Sequence, residues 1–277
     1  MNYLQVDFQL DSNQQELLIA YLSQLQFDSF EQNDQILKAF IKESNFDKSV
    51  LDSLLSELNI SNYQLSELEN KNWNEEWEKN FPDTKIGDQI HVRATFHDKD
   101  PTIKTEIVIE PKMSFGTGNH ATTYQVMEAM LDIDFNQKSV FDIGSGTGIL
   151  AILAEKFGAK EILAIDHDEW CVNNMYENKS LNYSSIEIEA CNLLIEGDLD
   201  KVIKDKKFDI ILANLNRNLL DATFPQIRSL LNKDSILITS GYYDTDADHI
   251  EQQVHNALGL SKVNQLVKKN WTVNVFK

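Results

Sequence analysis

Ser-Val-Phe-Asp-Ile-Gly-Ser-Gly-Thr-Gly-Ile-Leu-Ala-Ile-Leu-Ala-Glu-Lys-Phe-Gly, from Ser139 to Gly158, is the segment from which the architecture of this chain is best inferred. Its apolar, β-branched start predicts a buried strand, and residues 149–157 are helix formers followed by a glycine of the kind that ends helices. The glycines at 144, 146 and 148 predict a tight turn that leaves backbone N–H groups open to a ligand at a helix N-terminus. Asp142 stands at the carboxyl end of the strand, where open α/β sheets bind ligands.

The spacing of these glycines separates two kinds of cofactor-binding turn. A dinucleotide fingerprint, G-x-G-x-x-G, would need its third glycine at position 149, which is Ile149. The G-x-G-x-G form after an acidic residue resembles the motif of the seven-stranded methyltransferases that bind S-adenosylmethionine. A structural turn without a ligand is the alternative. The cofactor contacts expected here are Asp142, Gly144, Ser145, Gly146 and Gly148.

Composition restricts the classes of partner. The 277-residue chain has a net charge of −19, which disfavours nucleic acid and favours a basic protein partner. Cys171 and Cys191 have no Cys or His at metal-ligand spacing, so we expect reduced, structural thiols and no metal. No apolar run reaches the roughly 18 residues of a membrane span, and residues 1–11 lack a leader pattern. We therefore expect a soluble, cytoplasmic monomer.

Residues 1–70 predict a small domain of their own. The alternation of Leu4, Val6, Phe8 and Leu10 predicts a half-buried strand, and the pattern continues as helix, two strands, helix and strand. This β-α-β-β-α-β order is typical of a ferredoxin-like domain. Twelve acidic residues against three basic ones give the segment a net charge of −9. Its acidic surface is either a docking surface for a basic protein or a solvated face without a partner.

Residues 71–110 predict a linker helix and short strands. Trp73, Trp77 and Phe81 recur every four residues and would form one aromatic stripe on a helix. Such a stripe is typical of packing between a linker and the adjoining domain. Two apolar runs predict the strands, at 90–94 and 104–109.

A second glycine-rich segment, Phe-Gly-Thr-Gly-Asn-His-Ala-Thr-Thr at 115–123, precedes a predicted helix at 122–131. N–H and O–H groups at a helix start can donate to an anionic group such as a carboxylate. An ordinary capped loop is the alternative, and a lone histidine is more often structural than catalytic. The candidate residues for substrate or loop contact are Phe115, Gly116, Thr117, Gly118 and His120.

The βα alternation continues to the C-terminus, and polar residues follow the strand ends. Asp166 lies 22 residues after Gly144, near the ~20-residue offset at which an acid meets a ribose hydroxyl. Asn192 follows the third strand, beside where an adenine would lie, and Asn214 follows the fourth. The link between the last two strands is too short for a parallel crossover, so they must be antiparallel. Five parallel strands and a terminal hairpin predict the α/β, Rossmann-like sheet of class I methyltransferases.

On these residues the chain resembles the ribosomal protein L11 methyltransferase family, which methylates amino groups of a large-subunit ribosomal protein. The most specific matches are the segments 115–123 and 142–150. The resemblance implies a catalytic domain at 111–277, a substrate-recognition domain at 1–70, S-adenosylmethionine as cofactor and ribosomal protein L11 as substrate. It also implies cofactor contacts at Thr123, Gly144, Asp166 and Asn214. The chain departs from the family pattern at Asp168-Glu169, where Asp-Pro is usual, and at Leu215, where isoleucine is common.

The chemistry expected of such an enzyme is in-line methyl transfer to a neutral amine, on lysine side chains or on the N-terminal residue. We assign Asn214 and neighbouring carbonyls to hold the amine. Residues 214–217 are Asn-Leu-Asn-Arg, not the Asn-Pro-Pro-Tyr of enzymes that methylate planar amides or bases, which favours an aliphatic amine. Two other classes stay open. One is an NAD-dependent oxidoreductase, disfavoured by the glycine spacing, and the other is a noncatalytic module that binds a ribosomal protein.

Overall fold

The computed structural model describes residues 3–33, 35–68, 78, 80–112, 114–195, 197–203 and 205–277. The helices of these residues are α1 (Ser12–Leu22), α2 (Lys48–Glu57), α3 (Ala121–Met130), α4 (Ile149–Lys156), α5 (Glu169–Leu181), α6 (Asp198–Ile203), α7 (Arg217–Ile227) and α8 (Ala247–Leu258). Within the same ranges, none of the helices is long and apolar enough to cross a membrane.

The strands are β1 (Tyr3–Gln9), β2 (Ser29–Gln32), β3 (Ile36–Lys42), β4 (Tyr63–Leu68), β5 (Thr84–Ile86), β6 (Ile90–Ala94), β7 (Thr105–Ile109), β8 (Ser139–Ile143), β9 (Glu161–Asp166), β10 (Glu187–Ala190), β11 (Phe208–Asn214), β12 (Leu231–Tyr243), β13 (Lys262–Lys268) and β14 (Trp271–Phe276). Contacts divide the chain into two compact units, Met1–Asn80 and Phe81–Lys277.

The first unit contains a four-stranded antiparallel sheet and the helices α1 and α2. Its strand order, β2-β3-β1-β4, is that of a split βαβ fold, so the predicted ferredoxin-like topology is confirmed. Asp11 and Asp47 begin the two helices because their side chains accept backbone N–H groups of the first turn. The alternating apolar residues of β1 are buried as predicted and belong to one core with Leu18 and Leu22 of α1 and Leu51 and Leu55 of α2.

The second unit is organised around a seven-stranded sheet with the order β10-β9-β8-β11-β12-β14-β13. Neighbouring strands from β10 to β12 are parallel, and β14 is antiparallel to both β12 and β13. The predicted class I methyltransferase sheet, with its antiparallel closing strands, is therefore confirmed. β12 is 13 residues long, and its register with β14 shifts between Ser240 and Tyr242.

Helices cover both faces of this sheet. α3, α4 and α5 belong to the core on one face, with Met127, Ile152 and Met175 among its buried residues. α6, α7 and α8 belong to the core on the other face. Because parallel strands run in one direction, the carboxyl ends of β8, β9, β10 and β11 meet at a single edge. That edge positions the candidate site.

A second, three-stranded sheet in this unit contains β5, β6 and β7. The sequence predicts β6 and β7 but not β5, because three residues are too few to show a period. These strands belong to the unit that begins at Phe81, and the three-part division at 70 and 110 stays a prediction. Trp73 and Trp77 of the predicted aromatic stripe lie outside the described residues. Phe81 stacks on His97 with ring centroids 6.1 Å apart.

Candidate functional site

The glycine turn between β8 and α4 is tight, and protein atoms surround it. Gly144, Gly146 and Gly148 have φ values of 67°, 57° and 76°, in the region that favours glycine. A Cβ on Gly146 would overlap the carbonyl oxygen of Phe115, and one on Gly144 would overlap the side chain of Leu215. The sequence pattern suggests that these glycines make room for a ligand. In the structure the missing Cβ atoms also make room for two protein segments, and the role of the turn in cofactor binding stays a prediction.

Asp166, at the end of β9, is bound to this turn. Its Oδ2 accepts a hydrogen bond from the N–H of Gly146 at 2.9 Å, and its Oδ1 accepts one from the N–H of Asp168 at 3.0 Å. The residue is 7% exposed, so its remaining lone pairs face a restricted opening. Since a carboxylate offers about four acceptor sites, Asp166 keeps capacity for two ligand hydroxyls.

A cavity of about 130 Å³ opens beside the turn. Three predicted cofactor residues line it: Gly144, Asp166 and Asn192. The other lining residues, which sequence reasoning did not assign to the cofactor, are Ile165, His167, Cys191, Leu193, Leu194, Leu215 and Leu219. Their position directly after the strand ends is the signal that could have identified most of them. Apolar walls with a few polar groups are typical of small-molecule sites.

Cavity size alone does not locate the site. A larger cavity of about 450 Å³ has Asp88, Lys104 and Lys156 among its lining residues. It contains none of the predicted cofactor or substrate residues. We therefore choose the smaller cavity as the candidate site, because a strand-end acid and the glycine turn meet there.

Asp142 and Ser145 are buried. The Ser145 hydroxyl donates to the main-chain oxygen of Asp142 at 2.8 Å, so it is engaged within the turn. Burial raises the pKa of the Asp142 carboxyl to about 7, because a buried carboxylate loses its hydration. Oδ2 of Asp142 has no hydrogen-bond partner among the described residues. The turn thus contains an acceptor that a cationic ligand group would satisfy.

Thr123 and Asn214 come together although 91 residues separate them. Nδ2 of Asn214, at the end of β11, donates to Oγ1 of Thr123 in α3 at 3.4 Å. The amide oxygen of Asn214, Oδ1, takes no part in this bond. That oxygen is buried and, in the part of the chain that the structure describes, lacks a partner. A buried acceptor without a donor is costly, and here it provides a place for an N–H group.

The predicted loop 115–120 packs on the glycine turn. The N–H of Thr147 donates to the oxygen of Phe115 at 3.0 Å, and the Thr147 hydroxyl donates to the oxygen of Gly116 at 2.6 Å. Thr117 is partly exposed, and Gly118 lies against the side chain of Val92. The loop and the turn are therefore held together before any ligand binds.

His120 is the N-cap of α3. Its Nδ1 accepts from the N–H of Thr122 at 3.4 Å, and burial lowers its pKa, which favours the neutral imidazole that a cap requires. Its ring centroid lies 5.2 Å from that of Phe115 and 5.0 Å from that of Trp271. These contacts support the structural interpretation of His120.

The residues at this edge fit S-adenosylmethionine. Asp166 can accept from ribose hydroxyls, Asn192 and the leucines form a largely apolar wall, and Asp142 offers an unpaired acceptor to an ammonium group. These individual contacts stay predictions. In the described ranges, no cluster of His, Cys, Asp or Glu could hold a metal ion, and Cys171 and Cys191 are free thiols.

Comparison with known proteins identifies the family. The family model described as ribosomal protein L11 methyltransferase matches residues 6–277. A protein of that name from Phocaeicola vulgatus is 37% identical, with 100% of this chain and 99% of that protein covered. One from Porphyromonas gingivalis is 40% identical, with 92% and 88% covered.

A solved structure supports the same assignment. The crystal structure of a ribosomal protein L11 methylase from Lactobacillus delbrueckii subsp. bulgaricus superposes with a TM-score of 0.62 and 28% identity. The superposition covers 71% of this chain and 98% of that one. The resemblance inferred from the motifs is thereby confirmed, and this chain belongs to the ribosomal protein L11 methyltransferase family.

Proposed function

We propose that this chain transfers methyl groups from S-adenosylmethionine to lysine amino groups of ribosomal protein L11. The observation that carries the proposal is the Thr123–Asn214 pair at the carboxyl edge of the sheet. Its hydrogen bond orients the Asn214 amide, and the buried Oδ1 is free to accept an N–H of the incoming amine.

The glycine turn, Asp166 and Asn192 would hold the cofactor, with Asp142 as acceptor for its ammonium group. When bound, S-adenosylmethionine supplies a methyl group on a sulfonium, which an amine lone pair can displace. The protein supplies position, because in-line transfer needs the nucleophile about 3 Å from the methyl carbon.

The amine must be neutral when Asn214 holds it. A free lysine has a pKa of about 10.4 and is cationic at neutral pH, so it must lose a proton before it can react. Entry into a desolvated site lowers that pKa. Oδ1 of Asn214 accepts one N–H of the neutral amine, which leaves the nitrogen lone pair free to be aimed at the methyl group.

The first unit would select the protein substrate, because an amine alone carries nothing that distinguishes one protein from another. Its segment 1–70 has a net charge of −9, which suits a basic ribosomal protein. We propose that the enzyme acts on this protein as a cytoplasmic monomer.

The test is incubation of the purified chain with labelled S-adenosylmethionine and unmodified ribosomal protein L11, followed by mass mapping of the modified amines. We expect label on lysine side chains, and Asn214→Ala should lower kcat by about 100-fold, the order found when one positioned polar group is removed. Asn216→Ala is the matched control. Asn216 caps α7 by accepting from the N–H of Leu219 at 3.1 Å, so its loss should reduce stability but leave kcat within about threefold. Label only on the N-terminal amine, or an unchanged kcat in Asn214→Ala, would contradict the proposal.

A further inference from the structure

Three asparagines, Asn174 and Asn178 of α5 and Asn182 at its C-terminal end, lie four residues apart and therefore on one face of the helix. This face contacts the outer edge of β7, whose other edge pairs with β6. An edge strand leaves backbone groups without partners unless something covers it. Here asparagine side chains take the place of the missing strand.

The side chains satisfy four backbone groups of that edge. The N–H of Val108 donates to Oδ1 of Asn182 at 3.0 Å, and Nδ2 of Asn182 donates back to the oxygen of Val108 at 2.6 Å. The N–H of Glu110 donates to Oδ1 of Asn178 at 2.7 Å, and the oxygen of Glu110 accepts from Nδ2 of Asn174 at 3.1 Å.

Asn178 differs from its neighbours in its second partner. Its Nδ2 donates to the main-chain oxygen of Thr147 at 2.9 Å, inside the glycine turn, and the residue is 0% exposed. In Asn182, Nδ2 donates to the oxygen of Val108 in β7 and to the main-chain oxygen of Asn178 at 2.8 Å. The Asn182 amide therefore makes no bond to the turn. One buried side chain therefore connects Glu110, which leads into the loop at 115–120, with the turn.

We propose that Asn178 is a positioning residue that presets the glycine turn for the cofactor. Thr147 lies between Gly146 and Gly148, and glycines leave the backbone much conformational freedom. Bonds within the turn, such as that from the N–H of Gly148 to the oxygen of Ser145 at 2.9 Å, supply part of its order, and bonds from outside supply the rest. Thr147 is held by the loop through its N–H and hydroxyl and by Asn178 through its carbonyl oxygen. This inference rests on the proposed cofactor role of the turn.

The preset turn favours binding because the cofactor meets a backbone that is already ordered, so binding does not include the entropy cost of ordering it. Removal of Asn178 leaves the Thr147 oxygen and the Glu110 N–H without their partner. The folded chain would then also populate turn conformations that do not bind the cofactor. Its affinity for S-adenosylmethionine would fall in proportion to the population of the binding conformation that is lost. Catalysis by enzyme saturated with cofactor would change little, because the hydrogen bonds of Asn178 go to Glu110 and Thr147 and not to the Thr123–Asn214 pair.

The experiment compares Asn178→Ala with Asn182→Ala in the full chain. Both remove an asparagine that bonds the edge of β7, but only the first removes a bond to the turn. We expect Asn178→Ala to weaken S-adenosylmethionine binding in calorimetry about tenfold, or about 1.4 kcal/mol. Asn182→Ala should stay within about twofold. Both should lower the urea midpoint, and kcat on ribosomal protein L11 at saturating cofactor should stay within about threefold.

The proposal fails if Asn178→Ala binds the cofactor within about twofold of the unmodified chain, or if Asn182→Ala weakens binding as much. If Asn178→Ala does not fold, Asn178→Ser, whose hydroxyl is too short to bridge both partners, is measured with the same thresholds. Failure of the proposed function is distinguishable, because then the unmodified chain itself would not bind S-adenosylmethionine.

Discussion

The backbone N–H of Gly146 donates to Oδ2 of Asp166 at 2.9 Å, so the glycine turn and the acid that ends the neighbouring strand form one hydrogen-bonded group. A carboxylate that accepts backbone N–H groups is fixed in orientation. The lone pairs left for a ligand therefore point in a direction set by the turn. Asp166 thus supports the turn, and its proposed role as ligand acceptor would be a second function of the same carboxylate.

Substitution of Asp166 tests this double role. Asp166→Ala should weaken S-adenosylmethionine binding by about ten- to 100-fold, because hydrogen bonds to a charged group contribute roughly 1.5–3 kcal/mol. Asp168→Ala is the control. Asp168 caps α5 by accepting from the N–H of Trp170 at 2.9 Å, so its loss should cost about 1 kcal/mol of stability without changing affinity. Calorimetry decides, and a change below about threefold in Asp166→Ala would show that the ribose assignment is wrong.

Gly146 is required by the close approach of Phe115. Gly146→Ala would place a Cβ on the carbonyl oxygen of Phe115 and force the loop off the turn. Gly87→Ala is the matched control. Gly87 also has a positive φ, 54°, but among the described residues no atom other than those of its chain neighbours lies within 4 Å of the position that a Cβ would occupy. We expect Gly146→Ala to lose about 1–3 kcal/mol more stability in urea unfolding than Gly87→Ala. It should also lose at least about tenfold in cofactor affinity. Equal effects of the two substitutions would contradict the contact.

The buried Asp142 should make stability depend on pH. Burial raises its folded pKa to about 7, while in the unfolded chain an aspartate titrates near about 3.9. Between these values the unfolded chain is ionised and the folded one is not, so this group's contribution to stability falls as pH rises from about 4 to about 7. Asp142→Asn removes this dependence. Relative to the unmodified chain, the variant should gain roughly 2–3 kcal/mol between about pH 5 and pH 8 in urea unfolding.

A constant stability difference across that range would show that Asp142 titrates normally. Asp142→Asn should at the same time weaken S-adenosylmethionine binding at about pH 8, because an amide cannot neutralise an ammonium group as a carboxylate does. If the variant is stabilised yet binds the cofactor normally, the assignment of Asp142 as a cofactor contact is wrong.

The acidic segment 1–70 is predicted to dock the protein substrate. A fragment that begins near Glu69 should keep its affinity for S-adenosylmethionine within about threefold and lose most methylation of intact ribosomal protein L11. The full chain should slow as salt rises from about 0.1 M to about 1 M, because the Debye length falls from about 10 Å to about 3 Å. If the fragment methylated the intact protein as fast as the full chain, the solvated-face alternative would be correct.

Features that depend on local pattern could be predicted from the sequence. Val140, Phe141 and Ile143 belong to an apolar run whose length and β-branched residues suit a strand, and the glycines after them suit a turn with positive φ. Asp166 and Asn214 could be placed at strand ends because polar residues there interrupt buried runs. The link before Trp271 is too short for a parallel crossover, so the antiparallel pairing of the last two strands could be predicted from the length of that link alone.

The meeting of distant segments was settled by the tertiary structure alone. Asn214 finds Thr123 across 91 residues, and Asn178 reaches Glu110 across 68 residues and Thr147 across 31. No hydrophobic period or residue spacing in the sequence predicts such hydrogen-bonded pairs, because a hydrogen bond between two elements depends on how the elements pack. The same limit explains Gly146: its positive φ is local, but the carbonyl oxygen of Phe115 that excludes a side chain there comes from another part of the fold.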